Sequence, residues 1–239
     1  MISISRSGVW PEGVFAGASS GVLLALSFPP YPTRFLLLIA LVPIFWYYLL
    51  VFPRVSAMSA DIPGYSSGRL WLKSGTAVGF SFGITFFLML LFWIANLIPA
   101  SSVHHPFVLI PGLVLLVVYL SCYPVIFTVS LSYLTGRFGS VALVFSPALW
   151  ALTELARSRG ELGFSWGIVS ASLVPYPVAI QGLSIYGPFG LSMVFVTVNL
   201  LVALMIFDSR KKARLSSAGA LVAIIAFHIL WGAHEIAMI

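Results

Sequence analysis

The chain has 239 residues, of which 60% are hydrophobic and only 8% are charged. An ordinary soluble domain has about 25% charged residues, so this composition excludes a soluble globular protein and a disordered one. The basic excess, 12 Lys and Arg against 6 Asp and Glu, is typical of membrane topology and anionic-lipid contact, and we expect no nucleic-acid partner.

Long apolar segments predict an all-α fold, namely a polytopic membrane helix bundle with about seven transmembrane helices. Short alternating strands, which would indicate a barrel, are not the pattern here. We expect one transmembrane domain over 1–239 with spans at 13–28, 34–52, 75–98, 107–134, 141–156, 189–207 and 215–234. The polar stretch 54–73 is expected to be the longest loop, and Pro124 is expected to tilt or kink the fourth span.

The basic residues favour a bundle with its N-terminus inside and its C-terminus outside. With seven spans, the outside segments hold three basic residues, Arg34, Arg157 and Arg159. The inside segments hold nine, namely Arg6, Arg54, Arg69, Lys73, Arg137, Arg210, Lys211, Lys212 and Arg214. This difference follows the positive-inside rule.

Small and polar residues within the spans predict how the helices pack. Glycines recur at four-residue spacing in two spans, which allows close backbone approach in lipid; they are Gly13, Gly17 and Gly21, then Gly75, Gly79 and Gly83. The uncharged polar residues Asn96, Gln181 and Asn199 are expected to form hydrogen bonds between helices.

Glu154 and Arg157, near the outer end of the fifth span, are the first candidate site residues. A carboxylate near the end of a membrane helix is costly unless it is paired or hydrated. Arg157 follows three positions later, on the same helical face. Two interpretations are open: a site that orients a lipid headgroup or substrate, or a structural ion pair that fixes the helix end.

The outer loop 157–188 contains a stretch of glycines and aromatics, Gly160-Glu-Leu-Gly-Phe-Ser-Trp-Gly167. Irregular backbone at membrane depth is tolerated only where protein or a wet cavity surrounds it. Phe164 and Trp166 therefore indicate a re-entrant or cavity-lining loop, with plain anchoring at the membrane interface as the alternative.

Other reactive residue types form no catalytic or metal-binding pattern. Cys122, the single cysteine, excludes an internal disulfide, and we expect a buried, inert thiol in the fourth span. His104 and His105 are adjacent, so on a helix they would not share a face and would make a poor metal clamp. We expect no catalytic residue, no metal and no cofactor in this chain.

Several segments, taken in chain order, resemble bacterial apolipoprotein N-acyltransferase. They are Ala25-Leu-Ser-Phe-Pro-Pro30, Gly79-Phe-Ser-Phe-Gly83, Pro147-Ala-Leu-Trp150, Glu154-x-x-Arg157, Gly163-Phe-Ser-Trp-Gly167, Gln181, Tyr186-Gly187 and Val198-Asn199. The resemblance covers about 13–236. Ser165 stands where the family usually has proline, and the stretch 184–192 looks two residues longer than the family pattern.

The resemblance implies a role in lipoprotein N-acylation from a phospholipid donor at the bacterial inner membrane. In that family a periplasmic nitrilase-like domain with a Glu-Lys-Cys triad performs the chemistry, and no residue of this sequence matches the triad. We therefore expect a bundle that binds phospholipid and lipoprotein and is not active alone, with the nitrilase-like domain missing or supplied as a separate subunit on the outer face.

For the lipid or substrate site we expect Glu154, Arg157, Phe164 and Trp166, with Tyr186 as a weaker candidate. The alternative function is a non-catalytic lipid- or lipoprotein-binding membrane protein, or a transporter-like bundle. A transporter would be expected to show internal repeats or charged residues at mid-membrane, and neither is apparent in the sequence.

Overall fold

The computed structural model describes residues 9–60, 66–97 and 106–238, so the predicted histidine pair 104–105 lies outside the described residues. Every regular element within these ranges is helical, which confirms the all-α prediction for them. The α-helices are α1 Val9–Leu26, α2 Val42–Trp46, α3 Phe52–Ala60, α4 Ser67–Leu91, α5 Leu109–Phe138, α6 Ser146–Arg157, α7 Pro177–Ile180, α8 Leu183–Phe207 and α9 Lys211–Ala237.

Within the described ranges, five helical stretches are long and apolar enough to cross a membrane. They are Arg34–Ser59, Ser67–Asn96, Leu109–Phe138, Leu183–Phe207 and Lys211–Ala237. Two of the seven expected spans coincide with shorter helices, the apolar Pro11–Leu26 and the 12-residue α6. At 1.5 Å per residue α6 is about 18 Å long, and a 3₁₀ helix, Ser140–Phe145, precedes it.

Prolines interrupt the helices less than the sequence suggests. The helix continues through Pro53 as α3, and the π-helical turn Tyr47–Val51 lies just before it. A π turn shifts the hydrogen-bond register, so the missing proline N–H is tolerated there. The expected loop 54–73 is therefore largely helical, because α3 extends to Ala60 and α4 already begins at Ser67.

Helix α5 likewise runs without a break through Pro124 for 30 residues. The carbonyl of Pro124 accepts a hydrogen bond from the Thr128 hydroxyl at 2.9 Å. In α8 the break falls at Gly187, whose φ of 64° and ψ of −179° lie in a region that favours glycine, just before Pro188.

Helices α1 and α4 are in close, parallel contact. Gly17 faces the carbonyl of Val78, and Gly21, one turn later, faces the carbonyl of Phe82. Residue numbers rise together along the two helices, so their directions agree. A side chain at either glycine would occupy the space of the α4 backbone.

Helix α5 packs antiparallel against α4 through the second glycine series. A Cβ atom on Gly75 would lie 2.5 Å from Cα of Val129, and one on Gly83 would lie 2.6 Å from Cβ of Ser121. Between them, a Cβ on Gly79 would lie 2.6 Å from the Pro124 carbonyl oxygen. These contacts confirm the predicted close packing at the glycines of α4.

Asn199 of α8 holds the irregular segment that precedes α2. Its Nδ2 donates to the carbonyl of Leu37 and its Oδ1 accepts from the amide of Leu41, both at 2.8 Å. The segment lies between the 3₁₀ helix Arg34–Leu38 and α2, where backbone groups lack helical partners. The predicted interhelical hydrogen bonding is confirmed for this residue.

An aromatic core joins α4, α5 and α6 and places the next turn of α6. The Trp150 ring packs edge-on against Phe82, with ring centroids 5.7 Å apart, and against Phe127 at 5.2 Å. All three rings are buried. Glu154 follows Trp150 by one helical turn and is therefore fixed relative to this core.

The bundle has two different ends. We call "basic end" the end at which α4 and α9 begin and α5 and α8 finish; its cations are Arg69, Lys73, Arg137, Arg210, Lys211, Lys212 and Arg214. We call "loop end" the opposite end, where α6 finishes at Arg157 and the loop to α7 begins.

We predict that Gly79→Leu destabilises the bundle, because the new side chain would overlap the backbone of α5. The expected loss is about 1–3 kcal/mol of unfolding free energy, measured by thermal or denaturant unfolding in detergent micelles. Gly219→Leu in α9 is the matched control, since a Cβ there meets nothing within 4 Å. Equal stability of the two variants would contradict this packing.

Candidate functional site

Arg157 fastens the loop that follows α6. Its Nη1 donates to the carbonyl of Phe164 at 3.0 Å and to the carbonyl of Trp166. The backbone reinforces the closure, because the Phe164 amide donates to the Arg157 carbonyl at 2.7 Å. The guanidinium carbon lies 5.3 Å from the centroid of the Phe87 ring of α4, a cation–π contact.

Glu154 fastens the same segment a few residues later. Its Oε1 accepts a hydrogen bond from the Val169 amide at 2.9 Å, where the 3₁₀ helix Val169–Leu173 begins. The neighbouring Ser170 amide donates to the Ser192 hydroxyl of α8 at 3.3 Å. The start of this 3₁₀ helix is thus held by both α6 and α8.

Glu154 and Arg157 do not form the ion pair that one of the two interpretations requires. Among the described residues the only salt bridge joins Arg210 to Asp208. Glu154 and Arg157 are each 3% exposed, and Glu154 Oε1 and Arg157 Nη1 bind backbone groups of the loop instead. Because the two residues share one face of α6, both side chains reach the same loop. There they bind amide and carbonyl groups of the loop backbone and not each other.

A narrow cavity borders both residues. Its lining includes Phe86, Trp150, Glu154, Arg157 and Gly167, and its volume of about 20 Å³ is enough for about one water molecule. Glu154 Oε2 and Trp150 Nε1, an acceptor and a donor, have no hydrogen-bond partner within the described part of the chain. The cavity can therefore bind a small polar group between them.

Aromatic rings cover the loop on its outer side. The ring centroid of Trp166 lies 5.3 Å from that of Trp93, after α4, and 5.7 Å from that of Phe164. Trp166 is 53% exposed while Phe164 is half-buried. Tyr119 of α5 donates a hydrogen bond to the Leu162 carbonyl at 3.1 Å, which ties the loop to a third helix.

Tyr186 lies at a different place from the other four candidates. Its ring stacks on that of His228 of α9, with centroids 5.7 Å apart. It lines an apolar groove of about 460 Å³ between α8 and α9, and no lining residue of this groove borders the cavity beside Glu154. The structure thus brings together Glu154, Arg157, Phe164 and Trp166 and separates Tyr186 from them.

Sequence reasoning missed several residues of these two places. Trp93, Tyr119 and His228 carry no motif that links them to the loop or to Tyr186, and only the folded chain makes them neighbours.

Cys122 is exposed on α5, contrary to the expected buried thiol, because this face of α5 points away from the bundle. Within the described ranges no cluster of three or more His, Cys, Asp or Glu side chains could hold a metal.

We predict that Arg157→Gln loosens the loop without unfolding the bundle. Loss of a charged hydrogen-bond donor to two carbonyls should cost about 1.5–3 kcal/mol locally. Hydrogen–deuterium exchange should therefore rise at the amides of 158–169. Arg159→Gln is the control, since Arg159 is exposed. If both variants exchange like the unmodified protein, Arg157 does not hold the loop.

Comparison with known proteins identifies a family for most of this structure. The family described as "Apolipoprotein N-acyltransferase N-terminal domain" matches residues 20–201. A protein named apolipoprotein N-acyltransferase from Sinorhizobium medicae is 27% identical over 245 residues, covering 98% of this chain and 41% of the relative. A protein of the same name from Aquifex aeolicus is 36% identical over 100 residues, 41% of this chain and 22% of the relative.

A third relative of that name, from Rhizobium etli, is 26% identical over 217 residues, which is 91% of this chain and 38% of the relative. The chain therefore spans about a fifth to two fifths of the length of these curated relatives. The matched region includes α6, the loop after it and most of α8.

Proposed function

Because the chain belongs to the family of apolipoprotein N-acyltransferase N-terminal domains, we propose that it forms the membrane part of a lipoprotein N-acylation system. Its substrates are then a phospholipid donor and a lipoprotein acceptor, and its location is the bacterial inner membrane. The match over residues 20–201 is the observation that carries this proposal.

The proposed topology has seven crossings with the N-terminus inside and the C-terminus outside. Helix directions support it, because α1 and α4 are parallel while α4 and α5 are antiparallel. Helices α8 and α9 are antiparallel too, since Gly182 contacts His228 while Arg214 Nε donates to the Met205 carbonyl. The concentration of cations at the basic end favours its placement on the cytoplasmic side.

The loop end is then the outer face, and we propose that it receives the lipid substrate. Trp166 and Phe164 provide aromatic surface at headgroup depth, where such rings are favoured. Glu154 and Arg157 hold this surface in place by binding the loop backbone. Tyr186 is a weaker candidate, in the separate apolar groove between α8 and α9.

The acyl-transfer chemistry is assigned to a nitrilase-like domain on the outer face, in the same or a separate polypeptide. No residue of the sequence matches a Glu-Lys-Cys triad. The polar residues at the loop end, Glu154 and Arg157, bind the backbone of the loop after α6. The bundle's part in the reaction is therefore to bind and orient substrate rather than to form bonds with it.

A non-catalytic lipid- or lipoprotein-binding protein is the second candidate function. The apolar groove between α8 and α9 and the aromatic loop would serve lipid binding equally well without any reaction. A transporter-like bundle is less well supported, because the buried charges Glu154 and Arg157 sit at the end of α6 rather than at mid-membrane.

The orientation can be tested with single cysteines in a Cys122→Ser background. We expect Ser165→Cys, in the exposed loop, to react with a membrane-impermeant maleimide in intact spheroplasts. Ser209→Cys, exposed at the basic end, should react only after lysis. The opposite labelling pattern would reverse the orientation, and labelling of both in intact spheroplasts would contradict it.

The proposed function can be tested by complementation in cells depleted of their own apolipoprotein N-acyltransferase. We expect this chain alone not to restore N-acylated lipoprotein, measured by mass spectrometry of the lipoprotein's N-terminal peptide. A fusion to the part of the Sinorhizobium medicae relative outside the matched region should restore it. Restoration by the chain alone would contradict the assignment of chemistry to another domain.

Within that fusion, Glu154→Gln tests the loop end. Glutamine keeps an acceptor for the Val169 amide but replaces the second carboxyl oxygen beside the cavity with an amide NH2 group, and we expect about tenfold less acylated product, consistent with loss of one buried hydrogen-bond acceptor. Glu161→Gln, in the exposed part of the loop, is the control. Unchanged acylation in Glu154→Gln would remove this residue from the proposed site.

A further inference from the structure

A further cavity lies at the basic end, at the opposite end of the bundle from the aromatic loop. It has a volume of about 630 Å³ and separates the start of α6 from the end of α8. Its interior is aliphatic and aromatic, with Leu50, Val144, Leu201, Leu204 and Phe207 among the lining residues. Volumes of about 300–1,000 Å³ are typical of ligand sites.

The cavity opens on the lipid-facing side of the bundle. Val141 and Val144, in the 3₁₀ helix before α6, line it and are 74% and 65% exposed. A membrane protein presents such side chains to hydrocarbon rather than to water. An occupant can therefore enter from the bilayer without crossing a polar barrier.

One rim of the cavity is polar and charged. Asp208, Ser209 and Arg210 complete the lining at the turn between α8 and α9. Arg210 binds both carboxylate oxygens of Asp208, with Nε–Oδ1 at 3.1 Å and Nη2–Oδ2 at 2.8 Å. Hydrogen bonds from Arg210 hold the pKa of the Asp208 carboxyl below its usual value, so the pair stays ionised and its net charge is close to zero.

Further cations lie close in the chain to the residues that line this rim. Lys211, Lys212 and Arg214 follow in the first turn of α9 and are exposed. Arg137, also exposed, lies at the end of α5, three residues before the lining residue Ser140. The first turn of α9 also presents the positive end of a 27-residue helix. The rim therefore carries a net positive charge beside an apolar interior.

We propose that this cavity binds an acidic phospholipid, with an acyl chain between α6 and α8 and the phosphodiester at the rim formed by Arg210 and the start of α9. An apolar interior open to hydrocarbon matches an acyl chain, and a cationic rim at the membrane surface matches an anionic headgroup. This site is at the opposite end of the bundle from the proposed substrate site, and the inference does not depend on acyltransferase activity.

Lipid binding to the full chain in detergent can be titrated by native mass spectrometry. We expect phosphatidylglycerol to bind with higher affinity than phosphatidylcholine of the same acyl chains. Lys211→Gln with Lys212→Gln should weaken phosphatidylglycerol binding about 5-fold for each lysine removed and leave phosphatidylcholine binding unchanged. Equal affinities for the two lipids in the unmodified protein would overturn the proposal.

The matched charge control is Arg69→Gln with Lys73→Gln, two exposed cations at the same end that neither line the cavity nor adjoin a lining residue in the chain. This pair should leave the preference for phosphatidylglycerol intact. If both double variants lose it equally, the attraction is a diffuse effect of the basic end and not a site at the α8–α9 turn.

The interior is tested by Val144→Trp, which places a larger side chain at the cavity wall and should reduce binding of both lipids at least 5-fold. Val222→Trp in α9 is the control, because Val222 is 67% exposed, close to the exposure of Val144. Unchanged binding in Val144→Trp would exclude the cavity. Displacement of bound lipid by glycerol phosphate would instead indicate a simple anion site. The lysine variants, which lie outside the cavity, decide the proposal if Val144→Trp does not fold.

Discussion

The need to satisfy backbone hydrogen bonds away from water governs this bundle. Unpaired amide and carbonyl groups are costly in hydrocarbon, and buried side chains bind the backbone at two of the places where the described part of the chain departs from regular helix. Asn199 binds the backbone at one of them. Arg157 and Glu154 bind the backbone at the other. The residues that appear most functional in the sequence are therefore also the ones that allow its irregular segments to exist.

Two kinds of contact hold the helices together. Glycine contacts bring the backbones of α1, α4 and α5 together, where van der Waals packing is strong in lipid. Aromatic and polar contacts then attach α6 and its loop to this rigid group, through Trp150 on Phe82 and Arg157 on Phe87. The proposed substrate surface at the loop end is thus attached to helices whose backbones are in close contact.

Local signals in the sequence predicted the helical class, the glycine contacts of α4 and the role of Asn199, since each depends on residue type and short spacing. Other features depend on which segments meet in the folded chain, and the spacing of residues in the sequence does not determine this. The three-residue interval between Glu154 and Arg157 suggested an ion pair, yet the returning loop offers both charges backbone partners. The second span was expected to end at residue 52, but a π turn accommodates Pro53 and the helix continues. Tyr186 was expected at the same lipid or substrate site as the loop residues, whereas its ring stacks on His228 of α9.

The parallel contact of α1 with α4 constrains the order in which the protein can be assembled. Two neighbouring helices that point the same way must be separated by a returning segment, here the stretch Arg34–Ser59. During synthesis α4 emerges after both α1 and this segment. The contacts of Gly17 and Gly21 with α4 therefore form between helices that are not consecutive, so mutations at these glycines should delay maturation of the nascent chain before they affect any finished activity.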